Sequence, residues 1–225
     1  VYIMEDNKMI KAVIFDMDGL MIDSERVTYV CYVKILAKMG LSMSEDFYKT
    51  LLGKTLPTAY QLMFDEYGND FPMDQVLNDV HMLMDDIFIK EGVPLKQGLV
   101  ELLTYLKDND YKTIVATSST RHRMERLLTM ADVYKYFDNS ICGDEVTHGK
   151  PHPEVFLKAC QKINVVPSEA IVLEDSEAGI AAAHTAQIPV ICIPDMKYPE
   201  PAFVQMTSQI FHSLDNVIDF LKQSN

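Results

Sequence analysis

The sequence predicts an α/β fold, a doubly wound parallel sheet interrupted early by an all-helical domain. Three observations carry this. Short apolar β-runs recur along the chain with helical segments between them, and strand–helix alternation implies parallel strands with helices on both faces. From about residue 25 to 93 the alternation stops and only helical periodicity remains. The principal β-runs end in chemically capable residues, at the sheet edge where open α/β sheets bind ligands.

The first strand is Ala12–Phe15. After Asp23-Ser24 the pattern turns helical, with Val30, Val33, Leu36 and Ala37 at helical spacing and Gly40 closing the run. Pro57 opens a helix carrying Tyr60, Met63, Phe64 and Tyr67. Val76, Leu77, Val80, Leu83, Met84 and Ile87 form a further apolar stripe, ended by Gly92 and Pro94. The methionines here read as adaptable core packing. Beyond Pro94, helix is expected at Leu99–Leu106, about 121–130, from Pro153 to Ile163, from a Ser176 cap to about Ala186, and over 215–222. Strands are expected at Thr113–Ala116, Ser140–Cys142, Ala170–Leu173 and Pro189–Ile193.

Composition narrows the function. Of 225 residues, 48% are hydrophobic and 24% charged, an ordinary globular balance. The formal net charge of −13 argues against nucleic-acid binding. No run of about 18 apolar residues marks a membrane span, and no basic-then-apolar leader marks a secretory signal. Cys31, Cys142, Cys160 and Cys192 are scattered in apolar contexts and read as reduced, buried thiols. A cytoplasmic monomer is expected.

Residues 13–19 read Val-Ile-Phe-Asp-Met-Asp-Gly. The period-two geometry of a strand lets Asp16 and Asp18 face one small volume. Two carboxylates crowded there repel unless a cation joins them or one is protonated. Thr117, Glu174 and Asp175 close other β-runs, so parallel strands bring distant segments to one edge.

Asp16-Met17-Asp18-Gly19, Thr117-Ser118, Lys150-Pro151 and Glu174-Asp175 occur in the order of the haloacid dehalogenase-like superfamily, which the chain resembles from Lys11 onward. It is most similar to the branch holding small sugar-phosphate phosphatases and β-phosphoglucomutase. The resemblance implies a Rossmann-like catalytic core, residues 1–24 and 94–225, with segment 25–93 as an inserted helical cap. The joins near Ser24 and Pro94 are then candidate hinges.

The resemblance also implies roles. Asp16 is the nucleophile, splitting one displacement into two through an acyl-phosphate. Asp18 is the general acid, then the base for the hydrolytic water. Thr117 and the Ser118 N–H donate to the phosphoryl oxygens, and Gly19 leaves the backbone room to turn beneath them. Lys150 neutralises phosphoryl charge and holds Asp16 ionised. Mg²⁺ is expected on Asp16, the Asp18 carbonyl and Asp175, with Glu174 bound directly or through water. Glu174 is a variation, since the family often has Asp there. Lys54, Ser119, Thr120 and Arg121 are expected to border the substrate. His148 and His152 read as loop histidines, because no spaced second ligand pair supports a metal.

The substrate class implied is a small phosphomonoester. Leu52-Gly53-Lys54-Thr55 resembles the branch's specificity loop. The mutase pattern expects a histidine shortly beyond Ser24, where Val27-Thr28 stands, and an arginine after that loop, where Leu56 stands. Hydrolysis of a monophosphate is therefore expected over a phosphosugar mutase, with a catalytically idle phosphate-binding protein as the third reading. A true dehalogenase is disfavoured because it needs no metal and no acid at Asp18.

Overall fold

The structure, a computed structural model, describes residues 9–54 and 56–224. Residues 1–8 and Thr55 of the expected specificity loop lie outside these. The chain divides into two compact units: residues up to Asp23 together with those from Val93 onward, and Ser24–Gly92.

The first unit is built on β1 (Ala12–Phe15), β2 (Lys112–Ala116), β3 (Asn139–Ile141), β4 (Ala170–Glu174), β5 (Val190–Cys192) and β6 (Gln209–Ile210). All pair in parallel, in the order β3-β2-β1-β4-β5-β6. β1 and β4 are buried at every residue, which is why they read as unbroken apolar runs and not as alternating ones.

The second unit holds α1 (Ser24–Lys38), α2 (Glu45–Leu51), α3 (Leu56–Tyr67) and α4 (Met73–Glu91). α1 packs on α4, burying Cys31, Ile35 and Leu36 from one helix and Val76, Val80, Met84 and Phe88 from the other. Met43, Met63 and Met73 are also buried, as expected of packing methionines. Ser44 caps α2, its Oγ accepting from the Phe47 N–H at 3.1 Å. No helix was expected here; Ser44 ahead of Glu45-Asp46 is the signal that could have found it.

In the α/β unit the remaining helices are α5 (Leu99–Asp108), α6 (Arg121–Met130), α7 (Glu154–Lys162), α8 (Glu177–Thr185), α9 (Pro201–Val204) and α10 (Asp215–Ser224). Ala12 and Ile14 share a core with Val155, Phe156 and Ala159 of α7 and Ile180 and Ala183 of α8. The alternate residues Val13 and Phe15 point to the other face, where Phe15 meets Phe137 edge-on at 5.5 Å. The joins to the helical segment pair with each other: the Asp23 N–H donates to Pro94 O and the Lys96 N–H to Met21 O, both at 2.9 Å. Among the described residues no helix is long and apolar enough to cross a membrane.

Candidate active site

Strand register assembles the site. Phe15 of β1 opposes Leu173 of β4 and Val115 of β2. One residue further along, Asp16 and Glu174 come together, and Thr117 leaves the neighbouring strand. Asp16, Thr117 and Glu174 are 7%, 1% and 0% exposed. Buried carboxylates are costly unless paired and hydrogen-bonded. Lys150, its side chain 6% exposed, provides the pairing: its ammonium donates to Asp16 Oδ1 and, at 2.6 Å, to Glu174 Oε1.

The lysine is delivered by the loop before α7. The Glu154 carboxylate there accepts the Thr147 and His148 N–H groups, both at 2.9 Å. The His152 N–H donates to Gly149 O at 3.0 Å, and the Lys150–Pro151 peptide is cis. The Phe156 ring lies 4.9 Å from the ammonium and shields it.

Glu174 is engaged on both oxygens. Oε2 accepts from the Asp175 N–H, the Ser176 N–H and the Ser176 hydroxyl, each at 2.9 Å. Ser176 Oγ in turn accepts from the Gly179 N–H at 3.1 Å and caps α8. A Cβ at Gly179 would fall 1.7 Å from Glu174 Oε1, so glycine is required for this close approach. Gly19 answers a similar need. Its φ is +83°, and a Cβ there would meet Asp175 Oδ2 at 2.2 Å.

Asp18 sits in a different setting. Arg123 Nη1 donates to its Oδ1 and Oδ2 at 2.8 and 2.7 Å, and Ser119 Oγ donates to Oδ2 at 2.8 Å. Thr117 Oγ1 accepts from the Ser119 N–H at 3.0 Å, so its own hydroxyl proton remains a donor. Ser118 is exposed at the bend between, and Thr120 is the N-cap of α6. Lys54 lies exposed after α2 in the helical unit, its N–H bonded to Leu51 O at 3.2 Å.

Arg121 departs from the expectation that it borders the substrate. Its guanidinium is occupied by Glu125 and Ser140 at 3.0 Å and Glu145 at 2.5 Å. Two residues on a helix are about 200° apart, so only one of Arg121 and Arg123 can face the strand edge. Arg123 does. The i,i+4 spacing of Arg121 and Glu125 was the signal that could have separated them.

Burial pushes the Asp16 carboxyl up to about 7; Lys150 pulls against the rise and Glu174 adds to it. Burial also opposes the Lys150 charge, but Asp16 and Glu174 outweigh it and hold the ammonium above its ordinary pKa. One oxygen from each of Asp16, Glu174 and Asp175 lies within 4.8 Å of the others. A bound cation favours the ionised form of all three carboxylates, which against the Lys150 ammonium leaves two negative charges. An all-oxygen donor set with that excess fits a hard divalent cation such as Mg²⁺.

The model of the haloacid dehalogenase-like hydrolases matches residues 13–193, and the chain belongs to that family. It is 31% identical over 178 residues to the phosphorylated carbohydrates phosphatase of Thermotoga maritima, covering 79% of this chain and 82% of that protein. It is 29% identical over 192 residues to hexitol phosphatase B of Escherichia coli, covering 85% and 86%. A crystal structure from Thermotoga maritima, provisionally named a β-phosphoglucomutase, superposes with a TM-score of 0.80 at 27% identity, covering 95% of this chain and 99% of that one. Both sequence relatives are phosphatases, and the chain is an enzyme of that kind, a phosphoric monoester hydrolase.

Proposed function

We propose that the enzyme hydrolyses a small phosphomonoester, a sugar phosphate or a nucleotide-like metabolite, through a phosphorylated Asp16 and with Mg²⁺ as cofactor. The observation that supports this reading is the contrast between two carboxylates one residue apart. Asp16 is buried against Lys150, whereas Asp18 is half-buried and held by Arg123 and Ser119. The Lys150 ammonium beside Asp16 stands where a phosphoryl group attacked by that carboxylate would carry its charge, which supports attack by Asp16 and leaves the proton transfers to Asp18.

An Asp16 oxygen attacks phosphorus, and the bond to the leaving oxygen breaks. Asp18 gives that oxygen its proton. Asp18 then takes a proton from water, which attacks the aspartyl-phosphate and releases inorganic phosphate with Asp16 regenerated. The Thr117 hydroxyl and the Lys150 ammonium face the charge on the transferring group. Arg123 and Ser119 orient Asp18. Asp16, Asp175 and the Asp18 carbonyl would hold Mg²⁺, which neutralises phosphoryl charge when bound. Glu174, with both oxygens already taken by Lys150, Ser176 and the Asp175 N–H, positions the others.

Hydrolysis is favoured over a mutase because Val27-Thr28 and Leu56 replace the mutase histidine and arginine. The Thr28 hydroxyl is turned back to Ser24 O at 2.8 Å and lies 3.4 Å from Met84 Sδ. Four buried free cysteines fit a reducing, cytoplasmic setting.

The test is incubation with Mg²⁺ and p-nitrophenyl phosphate, then with a panel of sugar phosphates and nucleotides. Free phosphate is expected, and chelation should abolish its release. Glucose 6-phosphate formed from β-glucose 1-phosphate without phosphate release would establish the mutase reading. Phosphate binding with no turnover would establish the idle one.

A further inference from the structure

The loop that presents Lys150 inward carries a second set of donors on its outer side. His148 and His152 flank the lysine in sequence, and the chain folds back between them through the His152 N–H bond to Gly149 O. Their rings lie 4.7 Å apart, inclined by 35°. His148 Nδ1 stands 3.3 Å from Glu154 Oε2. One ring nitrogen from each histidine and one Glu154 oxygen all lie within 4.8 Å of one another.

We propose that His148, His152 and Glu154 form a binding site for a first-row transition-metal dication, separate from the acidic cluster at the strand ends. The donor chemistry selects the ion. Two imidazoles and one carboxylate suit Zn²⁺ and its neighbours, whereas Mg²⁺ prefers oxygen alone. One of the three separations already fits a metal, and His152 Nδ1 accepts the Glu154 N–H at 3.3 Å, which leaves its Nε2 as the ligand atom. Bonds of about 2.0–2.1 Å in a tetrahedral site place ligand atoms about 3.3–3.4 Å apart, and the His148–Glu154 pair already stands at 3.3 Å.

The carboxylate is also oriented from behind. Glu154 accepts the Thr147 and His148 N–H groups and pairs with Lys158 at 2.7 Å, which holds its oxygens in place as outer partners do at metal sites. The His148 side chain is 62% exposed, so an ion reaches the cluster directly and water can complete its shell. Sequence spacing alone assigned no metal here. The fold-back at Gly149–Pro151 supplies the convergence that spacing lacks. A metal held by residues 148 and 152 brackets Lys150 and ties the occupancy of the outer cluster to the loop that delivers it.

The test is Zn²⁺ titration against a chromophoric chelator in millimolar Mg²⁺, which keeps the acidic cluster occupied. The wild-type protein is expected to take up one Zn²⁺ more than the His148→Gln/His152→Gln variant. Each single variant should bind that ion at least about tenfold more weakly. Both rings are exposed, so the variants are expected to stay folded, which their circular dichroism checks. In the wild type, the NMR ring-proton signals of His148 and His152 should move together on adding Zn²⁺. Equal uptake by wild type and double variant overturns the proposal, as does movement of a different histidine with these two unchanged.

Discussion

In the α/β unit Asp16, Glu174 and Lys150 are buried together at one sheet edge, whereas two ion pairs described in the helical unit lie toward solvent. Lys49 with Glu45 and Lys90 with Asp86 are solvent-facing i,i+4 pairs, which water and salt screen. The helical unit buries methionines and Phe88 instead, a core that tolerates repacking. One unit therefore holds charge in its interior, and the other keeps its described ion pairs at the surface.

The largest expected difference is in turnover. Asp16→Asn should lower kcat by at least about 10³-fold while the protein keeps its thermal midpoint, as loss of a nucleophile does. Lys49→Ala in the helical unit should leave kcat within about twofold. Comparable activity in the two variants would remove Asp16 from its role.

Next comes stability. Lys150→Met leaves Asp16 and Glu174 buried without their cation, and urea denaturation should register a loss of about 3–5 kcal/mol. Lys90→Ala, which breaks an exposed pair, should cost less than about 0.5 kcal/mol. Equal losses would mean that the buried cluster is no more costly to disturb than the helix surface.

Two arginines sharpen the comparison within the α/β unit itself. Arg123→Gln frees Asp18 and should cut kcat about 10- to 100-fold with little change in KM, a fraction of what acid–base catalysis contributes. Arg121→Gln breaks pairs to Glu125 and Glu145 away from the reacting atoms and should leave kcat within about twofold. The reverse order would return Arg121 to the substrate side.

The smallest effect concerns the thiols. Burial is the main cause that pushes Cys142 and Cys160 up to about 11 and Cys192 to about 12, and it moves Cys31 the same way. The thiolate is the reactive form, so iodoacetamide should label the native protein far more slowly than the unfolded chain. These groups hold their protons in the folded state where the unfolded chain has lost them. Their contribution is present below about pH 9 and is lost as pH rises toward 12. Stability unchanged across that window would show that the thiols are not sheltered.

Much of the sheet was legible because fully buried parallel strands leave continuous apolar runs, and those of β1, β2 and β4 stop sharply at Asp16, Thr117 and Glu174. The edge strand β6 was not, since two residues, one of them the exposed Gln209, carry no period. That Asp16, Thr117, Lys150 and Glu174 gather at one sheet edge was readable, but their wiring was not. That Lys150 joins Asp16 to Glu174 depends on strand order, a long-range property. That Arg123 and not Arg121 meets Asp18 depends on how α6 is rotated against the sheet. The hold on Glu174 Oε2 comes from Ser176 and the Asp175 N–H, and of these only the capping role of Ser176 was visible.

The central claim is that Asp16 carries the phosphoryl group between two displacements. The direct measurement is the stereochemical course at phosphorus, using a substrate phosphomonoester made chiral with oxygen isotopes and an isotopically distinct water. Two in-line transfers each invert, so the phosphate released should show net retention. Net inversion would mean that water displaces the leaving group in one step, and Asp16 would then have no covalent part in the reaction.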